Sequence, residues 1–236
     1  MSEEQPLLSA SPRTRSFAIL ARVAHFRSQL YRWLALGFFP PDDALAGALE
    51  SGAMLDEMNA GTLWLGDDRA RLAAGLGEID RLGPVALETL QTDYERFFGK
   101  SVDRVPERES AYRWRDVSDV VGASGDVARA LRQQYRQCGA AAAEPGSEDH
   151  VAVELEFMAY LCVCEAGAWG AETPETARQL RRQQGNFLDD HLGRWLPDFC
   201  GQIEGRPGES FYICLARLCD SWMRIEHGPG YMAGSR

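Results

Sequence analysis

Apolar residues along this chain recur every three or four positions, and no stretch alternates for long with period two. That pattern predicts helices rather than strands. The first helix is expected over 17–39, with Phe17, Leu20, Ala24, Tyr31, Leu34 and Phe38 at helical spacing, stopped by Pro40-Pro41. Asp42 can cap a short helix running to Glu50. A weaker Ala- and Gly-rich pattern covers 67–82. The next helix is expected from Pro84, a favoured first-turn residue, and carries Leu87, Leu90, Tyr94, Phe97 and Phe98 before Gly99 ends it.

Residues 99–116 read as a charged loop that keeps two aromatics, Tyr112 and Trp114. A helix over 126–138 follows, then an Ala/Gly/Pro segment at 139–148 that reads as a hinge. The pattern over 149–166 is apolar nearly all round, which predicts a central helix, with Asp149 as its cap. A single amphipathic helix is expected over 174–199, its stripe traced by Leu180, Phe187, Leu188, His191, Leu192, Trp195, Leu196 and Phe199. The last helix carries Phe211, Leu215, Leu218, Trp222 and Ile225. The expected fold class is all-α, a compact multi-helix bundle: one domain over 16–227, flanked by flexible tails at 1–15 and 228–236.

Composition narrows the function classes. The chain has 236 residues, 45% of them hydrophobic, so it can bury a sizeable core. Its net charge of −10 disfavours nucleic acid as a partner, since that affinity rests on phosphate neutralisation. The uncharged apolar runs are far shorter than a bilayer span, so no membrane insertion is expected. The start, Met1-Ser2-Glu3-Glu4-Gln5, is acidic where a secretory signal is basic, which places the chain in the cytoplasm as an expectation. Six cysteines occur without a C-x-x-C pair; four of them lie inside apolar helical patterns and read as core residues.

Three groupings could carry chemistry. Asp149, His150 and Glu154 open the central helix, and with His191 they could in principle hold a metal, which gives an alternative reading as a metal-dependent hydrolase-like enzyme. Ser110 lacks a nucleophile elbow, so covalent catalysis has no support. The loop from Pro106 to Trp114 offers aromatic anchors for a binding groove or, more simply, pins itself to the bundle.

Three motifs in order then bear a resemblance. Tyr94-x-x-Phe97-Phe98 precedes Pro106-x-x-Glu109-Ser110-x-Tyr112; Glu148-Asp149-His150 precedes Glu154-Leu155-Glu156-Phe157-Met158; Phe187-Leu188-x-x-His191-Leu192-x-x-Trp195 follows. Together they resemble the TorD/DmsD/NarJ family of cytoplasmic chaperones for molybdoenzymes. The resemblance implies an all-helical chaperone with no catalytic activity and no cofactor of its own. Its partner would be the catalytic subunit of a dimethyl-sulfoxide-reductase-family molybdoenzyme, held through its twin-arginine leader until cofactor insertion. Asp149 and His150 would lie at the leader groove, Pro106, Glu109, Ser110, Tyr112 and Trp114 in the facing loop, and Glu154, Phe157, Met158 and His191 beneath. It also implies a monomer or a dimer that swaps domains through the hinge. An acidic surface and an apolar groove complement a leader with a basic start and an apolar middle. A helical adaptor unrelated to molybdoenzymes is the remaining alternative.

Overall fold

The computed structural model describes residues 11–113 and 123–227. Among them the regular structure is helical, as the spacing predicts.

Helix α1 (Pro12–Phe38) starts earlier than its apolar stripe suggests. Ser11 Oγ accepts from the Thr14 N–H at 3.1 Å, and Pro12 supplies a preset first turn. Residues 12–15 are therefore helix rather than tail. Phe39 caps the far end in extended geometry, as the following prolines require. Leu20, expected on the buried stripe, is exposed. Helix α2 (Asp43–Glu50) is capped by Asp42, whose carboxylate accepts from the N–H groups of Ala44 and Leu45.

Helix α3 (Ala53–Gly61) has no counterpart in the sequence expectation; it offers only Met54 and Met58 as a buried pair at i, i+4. Its last residue, Gly61, lies so close to α1 that an added Cβ would sit 1.7 Å from the Phe26 ring. Helix α4 (Arg69–Leu82) follows. Helix α5 (Leu87–Phe98) begins three residues beyond Pro84, because the backbone stays extended through Ala86. Helix α6 (Ala123–Gln137) leads into an irregular connection over 138–149.

Helix α7 (Val151–Gly170) is the axis of the fold. It packs most extensively on α1 and next on α8 (Pro174–Phe187). It is buried on every side but one: Glu156, Tyr160, Val163, Gly167 and Gly170 form a single exposed stripe, although the apolar pattern runs nearly all round. The expected single helix over 174–199 is interrupted. After α8 comes a π turn, Leu188–Leu192, and then α9 (Gly193–Glu204). Pro197 lies inside α9, one turn beyond Gly193, and cannot donate to the Gly193 carbonyl. Gly193 is required there: a Cβ would meet the Leu188 carbonyl oxygen at 2.6 Å and the His227 ring at 2.7 Å. Helix α10 (Phe211–His227) packs on α4 and α9.

One continuous core runs through all of these helices, with Trp195, Trp222, Tyr31, Tyr135 and Tyr212 among its largest buried side chains. Cys162, Cys200, Cys214 and Cys219 are buried and free, the core role expected of them, and burial pushes the Cys162 thiol up to about 12. A buried polar knot crosses the bundle. Arg27 of α1 donates to Glu165 of α7 at 2.9 Å, to Gln184 of α8 at 2.6 Å and to Glu226 of α10 at 2.7 Å. The expected tails at 1–10 and 228–236 lie outside the described residues.

Candidate functional site

The three sequence motifs meet at the N-terminus of α7. The loop 105–113 runs beside it, extended at Arg108 and then wound into one short 3-10 turn, Glu109–Ala111. Arg108 and His150 form an antiparallel bridge, the Glu109 N–H donates to the Asp149 carbonyl at 2.9 Å, and the Val151 N–H donates to the Glu107 carbonyl at 2.8 Å. The buried N–H of the helix's first residue thus finds in the loop the acceptor that the helix itself cannot supply.

The cap itself differs from expectation. His150, not Asp149, is the N-cap: its Nδ1 accepts from the Ala152 N–H at 3.2 Å. That leaves the proton on Nε2, which points at Glu107 Oε1 3.4 Å away. Phe39 stacks on the imidazole, with ring centroids 5.9 Å apart and planes within 7°. Asp149 is turned toward the loop instead. Its Oδ2 accepts from Ser110 Oγ at 2.6 Å and its Oδ1 from Arg108 Nη1 at 2.8 Å.

A second clasp holds the other end of the loop. Glu109 is fully buried; its Oε2 lies 2.8 Å from His191 Nδ1 on the π turn, and its Oε1 pairs with Arg113 at 2.7 Å. A one-turn π bulge brings His191 into this position, a common use of that geometry. Tyr112 donates to the Pro106 carbonyl at 2.9 Å and packs against Trp195. This is the pinning role for an aromatic that the loop's composition allowed. Trp114 lies outside the described residues.

Beneath the loop sits Glu154, with no exposure. Burial, and next the charge of Glu109, holds its carboxyl well above the usual carboxylate range. Its Oε2 accepts weakly from Trp195 Nε1 at 3.4 Å, and its Oε1 has no partner among the described residues. Glu148, by contrast, is drawn below the usual range by its hydrogen bond from Arg132 at 2.6 Å.

Most of the expected site residues therefore face inward. Glu109, Ser110, Asp149, Glu154, Phe157, Met158 and His191 are buried, whereas Pro106, Tyr112 and His150 remain partly accessible. The accessible skin of the junction includes residues the sequence did not single out: Phe39, Glu107 and Arg108. Glu107 also anchors α5, accepting from Tyr94 Oη at 2.6 Å. A signal for it existed in the charged loop, but nothing marked Phe39 beyond its place before two prolines.

The metal reading does not survive this geometry. His150 is spent on its cap, His191 on Glu109, and Glu154 is buried with its carboxyl held well above the usual range. No group of His, Cys, Asp and Glu that could hold a metal ion occurs among the described residues.

The family model described as the nitrate reductase delta subunit matches residues 66–201, more than half the chain and all three motifs of the junction. The chain belongs to this family, that of TorD and NarJ. The chaperone protein TorD of Colwellia psychrerythraea is 35% identical over 83 residues, which are 35% of this chain and 28% of that relative. The selenate reductase assembly chaperone protein of Thauera selenatis is 43% identical over 56 residues, 24% of this chain and 28% of the relative. The perchlorate reductase assembly chaperone protein of Dechloromonas aromatica is similar over much more: 25% identity over 202 residues, 84% of this chain and 86% of the relative. No solved structure matches the chain. In this all-helical fold the motif residues Glu109, Ser110, Asp149 and His191 form the clasp between loop and bundle.

Proposed function

We propose that this chain is a system-specific maturation chaperone. It binds the twin-arginine leader and the apo form of the catalytic subunit of a dimethyl-sulfoxide-reductase-family molybdoenzyme, assists cofactor insertion, and delays export. It works in the cytoplasm, as a monomer or as a dimer exchanged through 139–148, and catalyses nothing itself. The observation that carries this reading is the colinear likeness to the perchlorate reductase assembly chaperone over 84% of the chain. Two physical features support it. No helix among the described residues is long and apolar enough to cross a membrane. Apart from Glu154, the titratable groups of the junction are held by ion pairs and hydrogen bonds within it, which suits a recognition surface of fixed shape rather than an acid–base centre.

The leader meets the junction from outside, over Phe39, Glu107, His150 and Tyr112, while the buried Asp149 and Glu109 hold that surface in place. The test is fluorescence anisotropy with leader peptides of the native host's reductase catalytic subunits. One leader binds in the micromolar range or tighter, and its twin-lysine version binds more weakly, because lysine lacks the planar fork of arginine. Equal affinity for every leader, or for none, contradicts the reading.

A further inference from the structure

Two clefts lie end to end along the outer face of α1, away from the buried motifs. One, of about 220 Å³, is walled by Trp33, Leu36 and Phe39. The other, of about 570 Å³, is bounded by Phe26, Gly61 and Trp64. They share Gln29 and Glu57 and so form one groove. Phe39, at one end, is the ring that stacks on His150, so the groove opens onto the junction described above. At the other end Trp64 is 39% exposed and its neighbour Leu63 63% exposed. The Gly61 contact with Phe26 sets the floor of this half, where α3 comes close enough to α1 to leave a trough rather than a ridge.

The charges along the groove are unequal in their pairing. Arg22 lies over the Trp64 ring at 5.7 Å, and His25 lines the same half. Arg32 faces Glu156, whose carboxyl is raised by burial and drawn back by that guanidinium. Glu57, at the seam of the two clefts, has only neutral hydrogen-bond partners among the described residues: its carboxylate accepts from Trp33 Nε1 at 2.8 Å and from Gln29 Nε2. A half-buried carboxylate held by neutral donors between two apolar clefts is complementary to a cation carried beside apolar side chains.

The geometry points to this groove as the seat of the leader where its arginine pair passes into its apolar stretch, with a guanidinium on Glu57 and the apolar side chains running to Trp64. The inference rests on the leader reading above. From Gln29, at the seam, back to Arg22 the helix axis measures roughly 10 Å. That length holds about three residues of extended chain or about seven of helix, so the apolar stretch, roughly 7–15 residues in a signal sequence, lies there as a helix.

The test uses the full chain and a labelled peptide with two arginines followed by about 12 apolar residues. Glu57→Gln should weaken binding about tenfold, the loss of one charge-assisted contact. Trp64→Ser should do the same by removing apolar contact. A peptide with glutamines in place of its arginines should bind weakly and be indifferent to Glu57→Gln, the signature of a direct pair. Wild-type protein with a photo-crosslinker in the peptide's apolar stretch should label α1 or α3, which keeps the test valid if a variant fails to fold. If both variants bind as wild type does while Asp149→Asn loses binding, the groove is overturned and the leader reading stands. If wild type binds no such peptide, both fail. Crosslinks joining two copies of the chain across the groove would assign it to self-association and likewise overturn the proposal.

Discussion

Asp149→Ala removes the carboxylate that sews the motif loop to the central helix, and its cost can be worked from the contacts. Ser110 Oγ donates to Asp149 Oδ2 at 2.6 Å, with Ser110 buried and the carboxylate side chain 4% exposed. A buried charge-assisted bond of this kind contributes about 1.5–3 kcal/mol, including the penalty for a hydroxyl left without a partner. Arg108 adds less, about 0–1 kcal/mol, because its own side chain is 45% exposed and water screens the pair. The sum is about 1.5–4 kcal/mol. The backbone bonds between the Glu109 N–H and the Asp149 carbonyl, and between the Val151 N–H and the Glu107 carbonyl, survive the change. The loop should therefore stay paired and the urea m-value unchanged. Ser110→Ala alone should cost about 1–2 kcal/mol, and the double variant no more than Asp149→Ala, a coupling of about 1–2 kcal/mol. Urea unfolding of the four proteins of this cycle measures it. A loss below about 0.5 kcal/mol for Asp149→Ala, or strict additivity, refutes the clasp.

Glu154→Gln should differ from wild type in a pH-dependent way. The folded state keeps the Glu154 proton above the usual range, so the stabilisation is complete below about pH 4.3 and is lost as pH rises toward the folded value. The variant's urea midpoint should therefore gain on wild type between about pH 4 and pH 8, and a constant difference over that range contradicts the assignment. Arg27→Met leaves Glu165 and Glu226 buried without their guanidinium and should cost about 3–5 kcal/mol in the same assay. Gly61→Ala drives a methyl into the Phe26 ring and should cost about 1–3 kcal/mol, read as a lower thermal midpoint.

Much of the fold was legible in the chain because its signals are local. The Asp42 cap, the Pro40-Pro41 stop and the all-round apolar run of α7 each act within one or two turns. Helix α3 escaped notice because two methionines between glycines give no periodic stripe. The break at Leu188–Leu192 escaped because Phe187, Leu188, His191, Leu192 and Trp195 keep helical spacing straight through it; only Pro197 hinted otherwise. The site was legible as a set of motifs but not in its orientation. Sequence spacing places Asp149, Glu109 and His191 on particular elements, yet whether each points to solvent or to a neighbour depends on Ser110, Arg108 and Arg113, which arrive from elsewhere. The same limit hid Glu57, whose significance comes from Trp33 and Gln29 on another helix.

The most direct measurement is an affinity pull-down of the tagged chain from its native host, with co-purifying proteins identified by mass spectrometry. A chaperone of the kind proposed recovers one reductase catalytic subunit that still carries its twin-arginine leader and lacks its cofactor. Recovery of no reductase subunit, or only of mature subunits without a leader, contradicts the central claim.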